Sequence, residues 1–271
     1  MTGQFPRPRK ALGQNFLTDQ NIITKILQAA ELGADDRVLE VGPGRGALTN
    51  LLASRVRQLI AVEFDRDLAE ILRQRFRDVP QVTVVEQDVL KVDFGTLLGD
   101  FRFKVVANLP YNISTPVLFR FLEERRRFSK LVVMLQKEVG DRLAASADTG
   151  EYGVLTVLFR QWFEVKREFV VAPGCFFPAP KVDSVVLGLV PLATSRVEVG
   201  DQGLFTRLVR AAFAMRRKTL WNCLKSAGIA DAVRLEEVLF SCAIDGRRRG
   251  ETLDIEEFAR LSRKLSGWST Y

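Results

Sequence analysis

Residues 36–53 read DRVLEVGPGRGALTNLLA. A short β-rich run ends in three glycines, Gly42, Gly44 and Gly46, and a helical pattern follows at once. Glycines there allow a tight turn and let the main chain approach a ligand closely. The start of the helix adds unpaired N–H groups that favour an anionic or polar ligand. By itself such a turn is also ordinary punctuation between a strand and a helix.

The neighbouring segments repeat the unit. RQLIAVEFDRDLAEILRQRF (57–76) is strand then helix, with Asp65 as the N-cap. VTVVEQD (82–88) reads as a third strand and FKVVANLPY (103–111) as a fourth, followed by a helix beginning at Thr115–Pro116. KLVVMLQKEVGDRLAA (130–145) supplies a fifth strand and helix. This β-α alternation predicts a parallel, doubly wound α/β sheet. VLFRQWFEVKREFVV (157–171) and KVDSVVLGLVPL (181–192) read as antiparallel strands that close its edge. Beyond them only helical patterns remain: 203–228, 231–243 and 254–267. The expected organisation is one α/β domain over 1–192 and a small all-helical domain over 193–271.

Composition narrows the chemistry. The 271 residues include no histidine, which excludes Ser-His-Asp and Cys-His catalysis and the usual His-containing metal sites. Three scattered cysteines (Cys175, Cys223, Cys242) form no CxxC and suggest neither zinc nor a disulfide framework. No apolar run is long enough for a membrane span, and the first residues lack the apolar stretch of a secretory leader, so a cytoplasmic protein is expected. The net charge of +7 fits a polyanionic partner, although a solvated basic surface gives the same number.

Spacing then points to a nucleoside site. Glu63 ends the second strand about twenty residues after Gly42, where an acid can bind both ribose hydroxyls. Asp88 ends the third strand and can accept from an adenine amino group, its plain alternative being a turn cap. An NAD site fits these residues and predicts a hydride-transfer constellation downstream. An S-adenosyl-L-methionine site fits them equally and accounts for the end of the fourth strand, Asn108-Leu109-Pro110-Tyr111. The exocyclic amine of adenine is a poor nucleophile because its lone pair is delocalised into the ring. The Asn108 side-chain oxygen and the Leu109 carbonyl are two acceptors for its hydrogens. Pro110 disfavours helical geometry at Leu109, and Tyr111 offers a face on which the base can stack. The amine becomes acidic as it bonds to carbon, so no histidine base is needed. A strand-exit turn is the ordinary alternative for these four residues.

The stretches LGQNFL (12–17), EVGPGRGALT (40–49), NLPYNIS (108–114), FFPAPKVDS (176–184) and FAMRRKTL (213–220) together resemble the ribosomal RNA adenine dimethyltransferases of the small subunit, over nearly the whole chain. The resemblance implies a Rossmann-like class I methyltransferase sheet using S-adenosyl-L-methionine. It implies that Asn15 and Leu17 close over the cofactor, that Gly42, Gly44, Glu63, Asp88 and Asn108 hold it, and that Phe176 sandwiches a flipped adenine against Tyr111. Phe177, its neighbour, leaves a one-residue ambiguity. The implied substrate is a pair of adjacent adenosines in a hairpin loop near the 3′ end of small-subunit rRNA, in a 30S precursor, with a role in ribosome biogenesis; a monomer is expected. The basic segments 7–10, Arg125–Arg127, 215–225 (with Arg216, Arg217 and Lys218) and Arg247–Arg249 fit such a partner. Two alternatives stay open: a large-subunit methyltransferase of the antibiotic-resistance type, and a non-catalytic nucleic-acid-binding protein on the same fold.

Overall fold

The computed structural model describes residues 5–9 and 12–267. Lys10, part of the basic segment 7–10, lies outside the described residues. The chain forms two compact units, Met1–Gly140 with Val165–Pro191, and Asp141–Glu164 with Leu192–Tyr271.

The first unit is built on parallel strands β2 (Arg37–Val41), β3 (Gln58–Glu63), β4 (Val82–Glu86), β5 (Phe103–Asn108) and β6 (Phe128–Gln136). With β7 (Phe163–Val171) and β9 (Ser184–Pro191) they order as β4-β3-β2-β5-β6-β9-β7. β2 pairs in parallel with both β3 and β5, so the strand order reverses there. Open α/β sheets bind ligands at such a switch point, outside the carboxyl ends of the strands. β9 runs antiparallel to β6, and β7 is the outermost strand beside it. β2, β3, β5 and β6 are near-continuous apolar runs because helices cover both of their faces.

The helices are α1 (Gln20–Ala30), α2 (Thr49–Leu52), α3 (Arg66–Phe76), α4 (Phe94–Leu98), α5 (Ser114–Glu123) and α6 (Lys137–Ala144), the last of which runs into the second unit. α1 shows why they form. Ile23, Ile26, Leu27 and Ala30 recur at helical spacing and are buried, and the helix packs on β5, β6 and β9. Asp19 caps its start by accepting from the Asn21 and Ile22 N–H groups. Asp65 caps α3, as its position predicts. α5 starts at Ser114, one residue before the expected Thr115. A separate two-stranded ladder joins β1 (Phe16–Leu17) to β8 (Phe176–Phe177), pairing Phe16 with Phe177 and Leu17 with Phe176.

The second unit contains α7 (Val154–Arg160), α8 (Gln202–Ala212), α9 (Leu220–Ser226), α10 (Ala232–Ser241) and α11 (Ile255–Leu265). Two expectations are corrected here. The first residues of 157–171, expected as strand, belong to α7; Leu155, Thr156, Val157, Leu158 and Phe159 are all buried, and a run buried at consecutive positions carries no period to separate helix from strand. The single helical pattern over 203–228 is two helices. Thr219 caps α9 through its hydroxyl, and the Leu220 and Trp221 N–H groups donate to the Arg248 and Gly246 carbonyls instead of continuing α8. The units divide between Pro191 and Leu192, and 141–164 also belongs to the second unit.

Candidate active site

One cavity of the first unit is lined by Asn15, Leu17, Gly42, Gly44, Glu63, Asp88, Asn108, Leu109, Pro110 and Tyr111. Residues from distant stretches meet there because β2, β3, β4 and β5 all end at the same sheet edge.

The glycine turn forms one wall. Gly42 and Gly44 have φ of +69° and +58°, a left-handed region that side chains disfavour. A Cβ on Gly44 stands 2.9 Å from the Phe16 ring, so glycine is required for space as well as for conformation. The Gly44 N–H donates to Glu63 Oε2 at 2.9 Å, and the Asp65 N–H donates to Glu63 Oε1 at 2.9 Å. Burial raises the Glu63 carboxyl above its ordinary pKa, and these two main-chain donors pull it back in part. Each oxygen keeps a further lone pair for a ligand hydroxyl. Asp88 accepts from the Leu90 N–H through Oδ1 at 3.0 Å, so it caps the following turn and lines the cavity at once.

The opposite wall is the end of β5. The Leu109 N–H donates to the Met134 carbonyl at 3.1 Å, which locks the turn to β6. Asn108 Nδ2 donates to the Asn15 carbonyl at 3.1 Å. Only the nitrogen of an amide can donate to a carbonyl, so Oδ1 is the acceptor that remains for a ligand. The Tyr111 hydroxyl bonds Ser184 Oγ at 2.6 Å.

The segment 12–17 runs across both walls. Gly13 lies against Asn112, Asn15 holds Asn108, and Phe16 lies against Gly44. Gln14 and Arg9 bond Asp65 at 2.8 Å and 3.2 Å and tie the approach to this segment down. Pairing of 16–17 with 176–177 fixes its far end.

That pairing corrects one expectation. Phe176 is 4% exposed, packs in the core cluster with Leu17 and Val186, and does not line the cavity. Phe177 is 55% exposed, with the Arg45 guanidinium 5.7 Å from its ring. Alternation along β8 puts one ring in and the other out, and neither Phe176 nor Phe177 lines the cavity.

Two lining residues carry no signal strong enough to be singled out from the sequence. Phe64, directly after Glu63, is 59% exposed and lines the cavity. Glu40, in β2, is fully buried and its Oε2 has no hydrogen-bond partner among the described residues. Burial pushes its carboxyl up to about 8; Thr49 offsets part of this and the Glu63 charge adds to it. An acid within an otherwise apolar strand, two residues before the first glycine, is the feature that marks it. The Glu40 oxygen without a partner, the remaining lone pairs of Glu63 and the Asn108 Oδ1 acceptor fit a ligand with hydroxyl and amino donors, as an adenosine cofactor has.

Of the basic segments, 7–10 and Arg125–Arg127 belong to the first unit, and 215–225 and Arg247–Arg249 to the second. Arg216, Arg217 and Lys218 are exposed on the connection from α8 to α9. Arg247 is exposed and bonds Asp245. Arg248 is partly buried, and its guanidinium bonds both Glu257 oxygens and the Thr252 carbonyl, so it also braces the start of the last helix.

Residues 6–261 match the family model described as Ribosomal RNA adenine dimethylase. The chain is 57% identical over 269 residues to Ribosomal RNA small subunit methyltransferase A of Geobacter metallireducens, covering 98% of each chain. A dimethyladenosine transferase from Plasmodium falciparum superposes with a TM-score of 0.80 at 27% identity, covering 93% of this chain and 98% of that one. The 23S rRNA methyltransferase ErmE superposes with a TM-score of 0.70 at 29% identity, covering 93% of this chain and all of that one.

Proposed function

This chain belongs to the ribosomal RNA adenine dimethylase family, and from that membership we propose that it dimethylates N6 of two adjacent adenosines in the 3′-terminal hairpin loop of small-subunit (16S) rRNA. It is an S-adenosyl-L-methionine-dependent methyltransferase. It acts as a cytoplasmic monomer on the 30S precursor and contributes to small-subunit biogenesis. No helix among the described residues is long and apolar enough to cross a membrane.

The observation that carries the mechanism is the fixed Asn108 amide at the end of β5, in the same cavity as Glu63 and the glycine turn. Glu63 accepts from the cofactor ribose, Asp88 from its adenine through the oxygen that does not cap the turn, and Asn15 and Leu17 close over it. S-adenosylmethionine, when bound, supplies a methyl group on cationic sulfur. In the first transfer Asn108 Oδ1 and the Leu109 carbonyl accept the two hydrogens of the target amine, in the second one of them accepts its remaining hydrogen, and both arrangements turn the lone pair toward that methyl. Pro110 holds the Leu109 carbonyl by disfavouring helical geometry there. Stacking on Tyr111 contributes roughly 1–3 kcal/mol by analogy with single-strand binding proteins. Orientation of this kind can supply on the order of 7–11 kcal/mol of a barrier. With the cofactor bound, the carbon–sulfur bond would break as the C–N bond forms, S-adenosylhomocysteine would leave as a neutral thioether, and the methylated amine would lose its proton to solvent. A hairpin loop suits such a site because its bases unstack cheaply. Arg216, Arg217, Lys218 and Arg247 bind its phosphates.

Similarity supports small-subunit over large-subunit RNA: 57% identity to a small-subunit enzyme against 29% to ErmE. The intact Asn108–Tyr111 turn speaks against a non-catalytic binder. The test supplies labelled methyl groups with separated, unmodified ribosomal subunits. Label in the small subunit, recovered as N6,N6-dimethyladenosine by nucleoside mass spectrometry, is expected. Label confined to the large subunit, or binding without turnover, overturns the proposal.

A further inference from the structure

Ser184 stands outside the cavity, on β9, which is separated by β6 from the strand that carries the target-side turn. It is fully buried at the start of β9, opposite Gln136 of β6. Its Oγ lies 2.6 Å from the Tyr111 hydroxyl. Tyr111 itself is half-buried and lines the cavity. A buried serine hydroxyl without a partner is costly, so the pair holds the tyrosine in one place.

Adjacent strands anchor the two ends of the turn. At Leu109 the main chain is fixed to the Met134 carbonyl of β6. At Tyr111 the side chain is fixed to Ser184, whose strand pairs with β6 through Met134–Val186 and Gln136–Ser184. The Lys137 N–H donates to the Asp183 carbonyl at 2.9 Å, so the chain entering Ser184 is held as well. Between these two anchors the turn has little freedom. Asn108 and the Leu109 carbonyl must meet an amine while the Tyr111 ring meets the base, and both demands are satisfied only if the ring keeps its position relative to the main chain.

We infer that Ser184 is a positioning residue for methyl transfer: through its hydroxyl it holds the Tyr111 ring at the height and tilt that place the target base for attack. This rests on the proposed stacking role of Tyr111. Ser184 touches neither cofactor nor substrate, and its effect passes entirely through the tyrosine hydroxyl.

The geometry makes a specific demand on kinetics. Removing either hydroxyl breaks the same bond, so Ser184→Ala, Tyr111→Phe and the double variant should lower single-turnover kcat alike, by roughly 2- to 12-fold, the value of one neutral hydrogen bond. Their effects should not multiply, because a single interaction is removed in each. Cofactor Kd should stay unchanged in all three. With 2-aminopurine in place of the target adenosine, quenching on binding should weaken in all three, since the ring no longer meets the base squarely. A serine that only supports folding lowers the melting temperature and leaves kcat and quenching at wild-type values; that result overturns the inference. So do multiplicative losses in the double variant. Tyr111→Phe keeps the test available if Ser184→Ala folds poorly, because it removes only one oxygen from a half-buried ring. Tyr111→Ala separates the two levels. If it abolishes turnover while the hydroxyl variants retain full rate, the stacking role stands and the Ser184 inference fails. If Tyr111→Ala turns over normally, the stacking role itself fails.

Discussion

The Asn108 side-chain nitrogen donates to the Asn15 main-chain oxygen at 3.1 Å, so the amide has a single orientation in the cavity. The 12–17 segment thereby chooses which end of Asn108 meets the substrate. Asn108→Ala removes the acceptor and is expected to lower kcat roughly 100-fold or more, the scale seen when one preorganised polar group is deleted. RNA affinity should stay close to wild type. Filter binding alongside single-turnover kinetics checks both, and wild-type rates contradict the role.

Gly44→Ala combines a φ of +58° with a Cβ 2.9 Å from the Phe16 ring. It should cost at least about 1–2 kcal/mol of stability and weaken cofactor binding, because the Gly44 N–H to Glu63 bond shifts with it. Gly228→Ala is the control: φ is +62° there but nothing lies within 4 Å. It should destabilise through the backbone alone and leave cofactor affinity unchanged. Denaturant melts and calorimetric titration distinguish the two.

Glu40 gives a pH dependence. Its carboxyl is raised from 4.5 to about 8 in the folded chain, so between those values the folded state binds more protons than the unfolded one. The stabilisation is complete at low pH and is lost as pH rises, with a slope contribution of about 1.4 kcal/mol per pH unit in that window. Glu63 is raised also and contributes in the same direction. Glu40→Gln should flatten the decline and leave the variant relatively more stable above about pH 8. Melting temperatures of the cofactor-free protein across mildly acidic to mildly alkaline pH measure this.

Charge in the second unit divides by partner. Replacing Arg216, Arg217 and Lys218 with Ala should weaken RNA binding and reduce the salt slope by about 0.7 for each phosphate no longer neutralised. Arg248→Ala should instead lower the melting temperature with the salt slope unchanged. Its guanidinium holds Glu257, which completes the capping box at the start of α11. Binding titrations at several salt concentrations test both.

The sheet and most of the cavity are legible in the sequence because their signals are local. Gly42, Gly44, Glu63, Asp88 and the 108–111 turn each follow or end a strand, and a strand followed by a helix announces itself within a short window. The ladder between 16–17 and 176–177 is not legible, since two-residue pairing between such distant positions leaves no periodicity. For that reason the sequence leaves Phe176 and Phe177 undivided, whereas the structure buries the first and exposes the second. α7 reads as strand because its residues are apolar on nearly every side, and a buried helix and a buried strand then look alike. Arg248 counts among the basic candidates because its partner Glu257 is nine residues away, across a turn whose course the sequence does not dictate.

The account turns on how the target amine is held. A structure of the protein with S-adenosylhomocysteine and the unmodified hairpin should place the adenine amine about 3 Å from both Asn108 Oδ1 and the Leu109 carbonyl, with the base stacked on Tyr111. An amine seated elsewhere in the cavity, with Asn108 Oδ1 turned to the cofactor alone, contradicts it.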